Sequence, residues 1–97
     1  MATFITLMKY TQQGIANIKD SPGRLDAARE AFAGMGVTIK DFYLTIGEYD
    51  GMIVVDAPDT ATAAKALLAT GAQGNVSTTT LTALTEDEFR EVVAGLG

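Results

Sequence analysis

The stretch that most constrains this chain lies at its middle, Leu44-Thr45-Ile46-Gly47-Glu48-Tyr49-Asp50-Gly51-Met52-Ile53-Val54-Val55. Two apolar segments flank a polar turn in which Gly47, Asp50 and Gly51 can supply positive φ, the pattern of a β-hairpin. The turn also gathers two carboxylates and a phenol within three residues. The rest of the chain reads as two halves hung from this hairpin.

In the first half, Met1 to Tyr10 alternates Phe4, Thr6, Met8 and Tyr10 with Thr3, Ile5, Leu7 and Lys9, a strand with both faces at least partly buried. Thr11 opens a turn or short helix. Asp20-Ser21-Pro22-Gly23 is a helix start, with Ser21 as the capping acceptor and Pro22 at the first helical position. The helix is expected from Pro22 to about Met35, with Leu25, Ala28, Phe32 and Met35 as its apolar stripe and Gly34 and Gly36 at its end. The second strand, Val37 to Ile46, sets Phe42, Leu44 and Ile46 against Asp41, Tyr43 and Thr45, and the first of these sets is expected to meet the helices.

In the second half, a third strand runs from Met52 to Ala57 and ends at Pro58-Asp59. Asp59 or Thr60 can cap an alanine-rich helix that reaches about Thr70. Asn75 to Leu84 is the fourth strand, rich in threonine. Thr85-Glu86-Asp87-Glu88 is a capping box for a terminal helix whose apolar face is Phe89, Val92, Val93 and Leu96.

The order β-α-β-β-α-β plus a terminal helix satisfies the ferredoxin-like α+β pattern, four antiparallel strands with two helices on one face, in a single domain over residues 1–97. The other sheet face is then bare. It is expected to carry Phe4, Thr6, Met8, Tyr10, Tyr43, Thr45, Met52, Val54, Asp56 and the Thr78/Thr80/Thr82 row, too apolar to face water as a whole. Sheet-to-sheet packing of two subunits would cover it, so a homo-oligomer, at least a dimer, is expected.

Bulk properties narrow the function. Seven basic residues against twelve acidic ones, net charge −5, argue against a nucleic-acid groove. Cysteine and histidine are absent, which removes disulfides, thiolate nucleophiles, Cys/His zinc sites and His-ligated haem. The carboxylates Asp20, Asp41, Glu48, Asp50, Asp56 and Asp59 show no metal-loop spacing, so neither a metal nor a cofactor is expected. The N-terminus is a poor signal peptide, and the longest apolar run is far short of the roughly 20 residues that span a bilayer. A soluble cytoplasmic protein with no membrane partner is the expectation.

These residues resemble the GYD-domain proteins, a bacterial and archaeal family named for a Gly-x-Tyr-Asp type motif, here Gly47-Glu48-Tyr49-Asp50. The likeness extends to Lys9-Tyr10-Thr11 and Gly14, to Asp20-Ser21-Pro22 with Arg24, to Asp56-Ala57-Pro58-Asp59, and to Gly74-Asn75-Val76. It departs at Asp56, where a glutamate is expected. The resemblance implies a dimeric α/β barrel of ferredoxin-like subunits and no particular activity, because related barrels host oxygenases, isomerases, haem enzymes and ligand sensors.

Among site candidates, Tyr49 and Asp50 offer a phenol beside a carboxylate, although ordinary turn chemistry accounts for them more simply. Tyr10, Tyr43, Thr45 and Asp56, with Tyr49 nearby, form the expected ligand-binding set on the bare sheet face, for a small, mildly polar or aromatic molecule. A dimer interface that pairs its own polar atoms is the competing account of the same residues. Lys9 and Arg24 could attract an anion, but isolated basic residues are usually solvated. The leading reading is a homo-oligomeric small-molecule-binding domain. One alternative is a cofactor-free monooxygenase or isomerase with Asp56 or Asp50 as base and a tyrosine steadying the oxyanion; the other is a purely structural or regulatory oligomer.

Overall fold

The computed structural model describes residues 1–97. Its elements are β1 (Ala2–Tyr10), α1 (Gln12–Ala16), a 3-10 turn (Ile18–Asp20), α2 (Ser21–Ala33), β2 (Thr38–Leu44), β3 (Gly51–Ala57), α3 (Thr60–Ala72), β4 (Val76–Ala83) and α4 (Glu86–Ala94). The four strands form one sheet in the order β2-β3-β1-β4, with every neighbouring pair antiparallel. This is the order that two interleaved β-α-β units produce.

The strand register decides which residues meet the helices. Phe4 lies opposite Val55 on one side and Thr82 on the other, and Val55 in turn lies opposite Ile39. Phe4, Ile39, Val55 and Ala57 are buried with Phe32 of α2 and with Ala63 and Ala66 of α3. The α2 stripe is the expected one through Phe32, with Leu25 and Ala28 packed beside it, while Met35 reaches this core from beyond the helix end at Ala33. Alanine at positions 63 and 66 lets α3 sit close to the sheet, as its composition suggests.

The same register corrects the expected faces of β1 and β4. Phe4, Thr6, Met8 and Tyr10, with the Thr78/Thr80/Thr82 row opposite them, belong to the helix side of the sheet. The bare side instead carries Thr3, Ile5, Leu7 and Lys9 of β1 and Ser77, Thr79 and Leu81 of β4, beside Met52, Val54 and Asp56 of β3. Phe4 is buried in the same cluster as Phe32 and Met8 is buried on the same side, while Ile5 and Leu7 stay partly exposed. Thr6 is fully buried, and its hydroxyl shares a 2.9 Å hydrogen bond with that of Thr80 directly across the strand pair, which keeps a buried polar atom satisfied.

An irregularity between Ile39 and Asp41 makes β2 bulge at Lys40. Strict alternation would send Ile39 and Phe42 to opposite faces. The extra residue returns both to the helix side, opposite Val55 and Ile53. Arg29 of α2 donates to the Ile39 carbonyl at 2.9 Å, satisfying an acceptor beside the bulge.

Two helix starts follow the sequence and one does not. Asp59 accepts from the Thr62 N–H at 2.7 Å, and Thr85 and Glu88 form the reciprocal capping box. Ser21, expected to cap α2, is instead its first helical residue; Asp20 precedes it without a side-chain cap, and the Ser21 hydroxyl bonds elsewhere. The last helix, α4, makes no substantial contact with any other element. It contributes to a radius of gyration of 14.7 Å, against about 13 Å for a compact chain of this length. No helix is long and apolar enough to cross a membrane.

Candidate functional site

The motif residues converge on one end of the sheet, where β1 runs out. Asp50 carries most of the closure: its carboxylate accepts from the Tyr10 N–H at 2.9 Å, its own N–H donates to the Met8 carbonyl at 2.8 Å, and its carbonyl accepts from the Thr45 N–H at 2.9 Å. Thr45 in turn donates its hydroxyl to the Tyr49 carbonyl at 2.6 Å. The connection is therefore a loop bonded to β1, longer than a two-residue hairpin turn. Of the three residues expected to offer positive φ, only Gly47 adopts it, at 131°. Gly51 is needed for space, because a Cβ there would lie 2.9 Å from Cγ of Met8. The Tyr49 ring lies beneath the Lys9 ammonium, 5.2 Å from ring centre to Nζ, a favourable cation–π distance.

A second clasp joins the start of α1 to the segment before β4. Thr11 caps α1 by accepting from the Gly14 N–H, donates its hydroxyl to the Gly74 carbonyl at 2.6 Å, and donates its N–H to the Asn75 carbonyl at 3.0 Å. Gln13 reaches the Gln73 carbonyl and the Asn75 side chain. Gly14 is buried so tightly that any Cβ would collide with the Asn75 carbonyl. The sequence segments that carry the family likeness thus bond mainly to one another.

Beneath this end, between α2, the sheet and the C-terminal part of α3, lies a cavity of about 300 Å³. Its walls are apolar, built from Leu25, Ala28 and Phe32 of α2 with Phe42 and Ile53 of the sheet. Its polar lining comes from Tyr10, Ser21, Arg24, Thr70, Gln73 and Asn75. The Tyr10 and Ser21 hydroxyls share a 2.7 Å hydrogen bond, which explains why Ser21 does not cap its helix. Arg24 donates through Nη1 to the Asn17 carbonyl at 3.0 Å, while its Nη2 is shut off from solvent and has no partner.

The structure separates the expected ligand-binding residues. Tyr10 lies on the helix side, in the cavity. Tyr43 is 54% exposed on the bare side, opposite Met52. Asp56 shares that side, but Met52 and Asp56 are four residues apart on β3, about 13 Å at ordinary strand rise. Thr45 and Tyr49 sit in the motif loop. Both oxygens of Asp56 are occupied, one by the Thr3 hydroxyl at 3.1 Å and the other by the Lys40 ammonium at 3.7 Å. Asp50, the other candidate base, is committed to the β1 backbone. Nowhere do three carboxylates converge as metal ligands would. The cavity residues Ser21, Thr70, Gln73 and Asn75 were not candidates from sequence, since only the fold brings these polar side chains together; Arg24 was visible but looked like a solvated charge.

The family model for the GYD domain matches residues 4–93. The "Glutamine synthetase and cystathionine beta-lyase binding protein" of Thermus thermophilus is 36% identical over 85 residues, which is 87% of this chain and 90% of that protein. Among solved structures, a protein from Thermus thermophilus superposes with a TM-score of 0.52 at 23% identity, over 88% of this chain and 95% of the other, a likeness of fold. An ACT domain protein from Streptococcus pneumoniae aligns with a TM-score of 0.49 at 22% identity, over 84% of this chain and 89% of the other. The chain belongs to the GYD-domain family.

Proposed function

We propose that this protein is a homo-oligomeric docking module that acts by binding another protein, with no substrate turnover of its own. One observation carries the reading: the sheet side that bears Ile5, Leu7, Met52, Val54 and Leu81 has no element of its own chain over it. A second copy set face to face would remove this apolar surface from water, the arrangement of a dimeric α/β barrel. The terminal helix supports the same reading. Phe89, Val92 and Val93 of α4 and Leu96 just beyond its end are all exposed, Leu96 at 77%, and a second copy offers them a surface that their own domain does not.

The name of the Thermus thermophilus relative supports enzymes as further partners, with glutamine synthetase and cystathionine β-lyase the first to try. Binding is favoured over catalysis because Asp50 and Asp56 are held by hydrogen bonds and an ion pair within the chain. Size-exclusion chromatography with light scattering tests the self-association: wild type elutes as a dimer or higher oligomer, and the pair Leu7→Asp/Val54→Asp as a monomer. Biolayer interferometry with the two purified enzymes tests the docking. Wild type that is monomeric at tens of micromolar and binds neither enzyme would end the proposal.

A further inference from the structure

A second uncovered apolar surface lies on the helix side of the sheet, on α3. Ala63 and Ala66 face the core, but Ala64, Leu67, Leu68, Gly71 and Ala72 recur at i, i+3, i+4, i+7 and i+8 and form a separate stripe along the helix. All of these except half-buried Leu67 are exposed, Leu68 at 74%. With Thr78 and Thr80 of β4 they wall an open groove along the rim of the sheet.

The helix α4 supplies the complementary half. Its stripe, Phe89, Val92 and Val93 continued by Leu96 just past the helix end, has the same i, i+3, i+4, i+7 spacing and is also exposed. The two stripes match in length, about 12 Å from Ala64 to Ala72 and about 10 Å from Phe89 to Leu96 at the helical rise per residue. They match in size, since the large side chains of α4 would meet a row in which Ala64, Gly71 and Ala72 leave room for a closely packed helix. They match in charge as well: Lys65 is the only charged residue of α3, whereas α4 carries Glu86, Asp87, Glu88 and Glu91 against Arg90 alone.

Within one chain the stripes do not meet, because α4 makes no substantial contact with any other element. They do share a rim: β4 is an outer strand, it walls the groove through Thr78 and Thr80, and after Ala83 it leads into α4. A two-fold axis beside that rim sets α4 of each copy on α3 of the other and covers both stripes in both copies.

We propose that α4 is exchanged between copies of this chain, with Phe89, Val92, Val93 and Leu96 packing on the Ala64–Ala72 stripe of α3 in the second copy. This rests on the self-association proposed above and adds to it a contact apart from the sheet face.

The chain has no cysteine of its own, so engineered pairs report the contact directly. A tagged copy carrying Leu68→Cys is mixed with an untagged copy carrying Val92→Cys, or Val93→Cys, and oxidised. A mixed disulfide dimer forms with at least one of the two and outweighs either homodimeric product, since the bond needs Cβ atoms within about 4.5 Å. Leu68→Asp stays a dimer by light scattering, because the sheet face is untouched, and raises amide exchange across α4 by about tenfold. Positions 68, 92 and 93 are exposed, so each variant folds. A mixture that yields no heterodimer, a disulfide formed only within one chain of a Leu68→Cys/Val92→Cys double variant, or α4 exchange unchanged by Leu68→Asp would each overturn the proposal. Wild type that is dimeric in light scattering would then leave the sheet-face reading standing, whereas a monomeric wild type would end both.

Discussion

The end of the sheet at Tyr10 and the terminal helix α4 are held in opposite ways. Around Tyr10, the Asp50 carboxylate, the Thr11 hydroxyl and the Gln13 amide all bond within the chain, and Gly14 admits no extra atom. In α4 the hydrogen bonds stay local, within the helix and its cap, and the apolar stripe touches little. The difference separates two uses of sequence. In a motif that looks like chemistry, a tyrosine beside an aspartate, the aspartate bonds to the end of β1, whereas an ordinary amphipathic helix keeps its apolar stripe exposed.

The largest effect that could break this contrast is at Gly14. Gly14→Ala drives a methyl group into a backbone carbonyl, which cannot rotate away, and is expected to destabilise the protein by about 3 kcal/mol in urea denaturation. A loss within about 0.5 kcal/mol, the range of an ordinary surface substitution, would mean that the clasp is looser than described. Next is Asp50→Ala, which strips the Tyr10 N–H of its acceptor and should remove about 2 kcal/mol, with amide exchange rising first at residues 8–11 and 45–50. Uniform exchange across the sheet would instead give Asp50 no special part in that end.

The smallest effect belongs to α4. Glu88 is held below the ordinary glutamate value, chiefly by the Thr85 backbone N–H and then by its side chain; Asp59 is lowered likewise by the Thr62 hydroxyl and N–H. A carboxylate with a depressed folded value contributes stability that is fully present above its unfolded value, about pH 4.3 for glutamate, and lost as pH falls through the folded one. Acidification from about pH 5 should therefore fray α4 at its start while the β1 amides stay protected. Simultaneous loss of both in an NMR titration would show that α4 is coupled to the sheet after all.

Much of the fold was legible in the sequence because local signals agreed with one another. The α2 stripe, the Asp59 cap and the Thr85–Glu88 capping box all read correctly from spacing alone. The phase of β1 did not, since Phe4 and Met8 on one side are balanced by Ile5 and Leu7 on the other, and a strand apolar on both faces carries no marker of which one meets the helices. β4 is harder still: Thr78, Thr79 and Thr80 are the same residue on alternate faces. The error in phase moved Tyr10 away from Tyr43 and Asp56.

The bulge at Lys40 bears on how the molecule can grow into larger assemblies. β2 is an outer strand, with backbone groups on its far side that could recruit the strand of a neighbour and repeat the addition without limit. An interrupted register, a lysine at the interruption and an arginine already bonded to the adjacent carbonyl make that rim a poor template. With the rim blunted in this way, strand-by-strand growth through β2 is disfavoured.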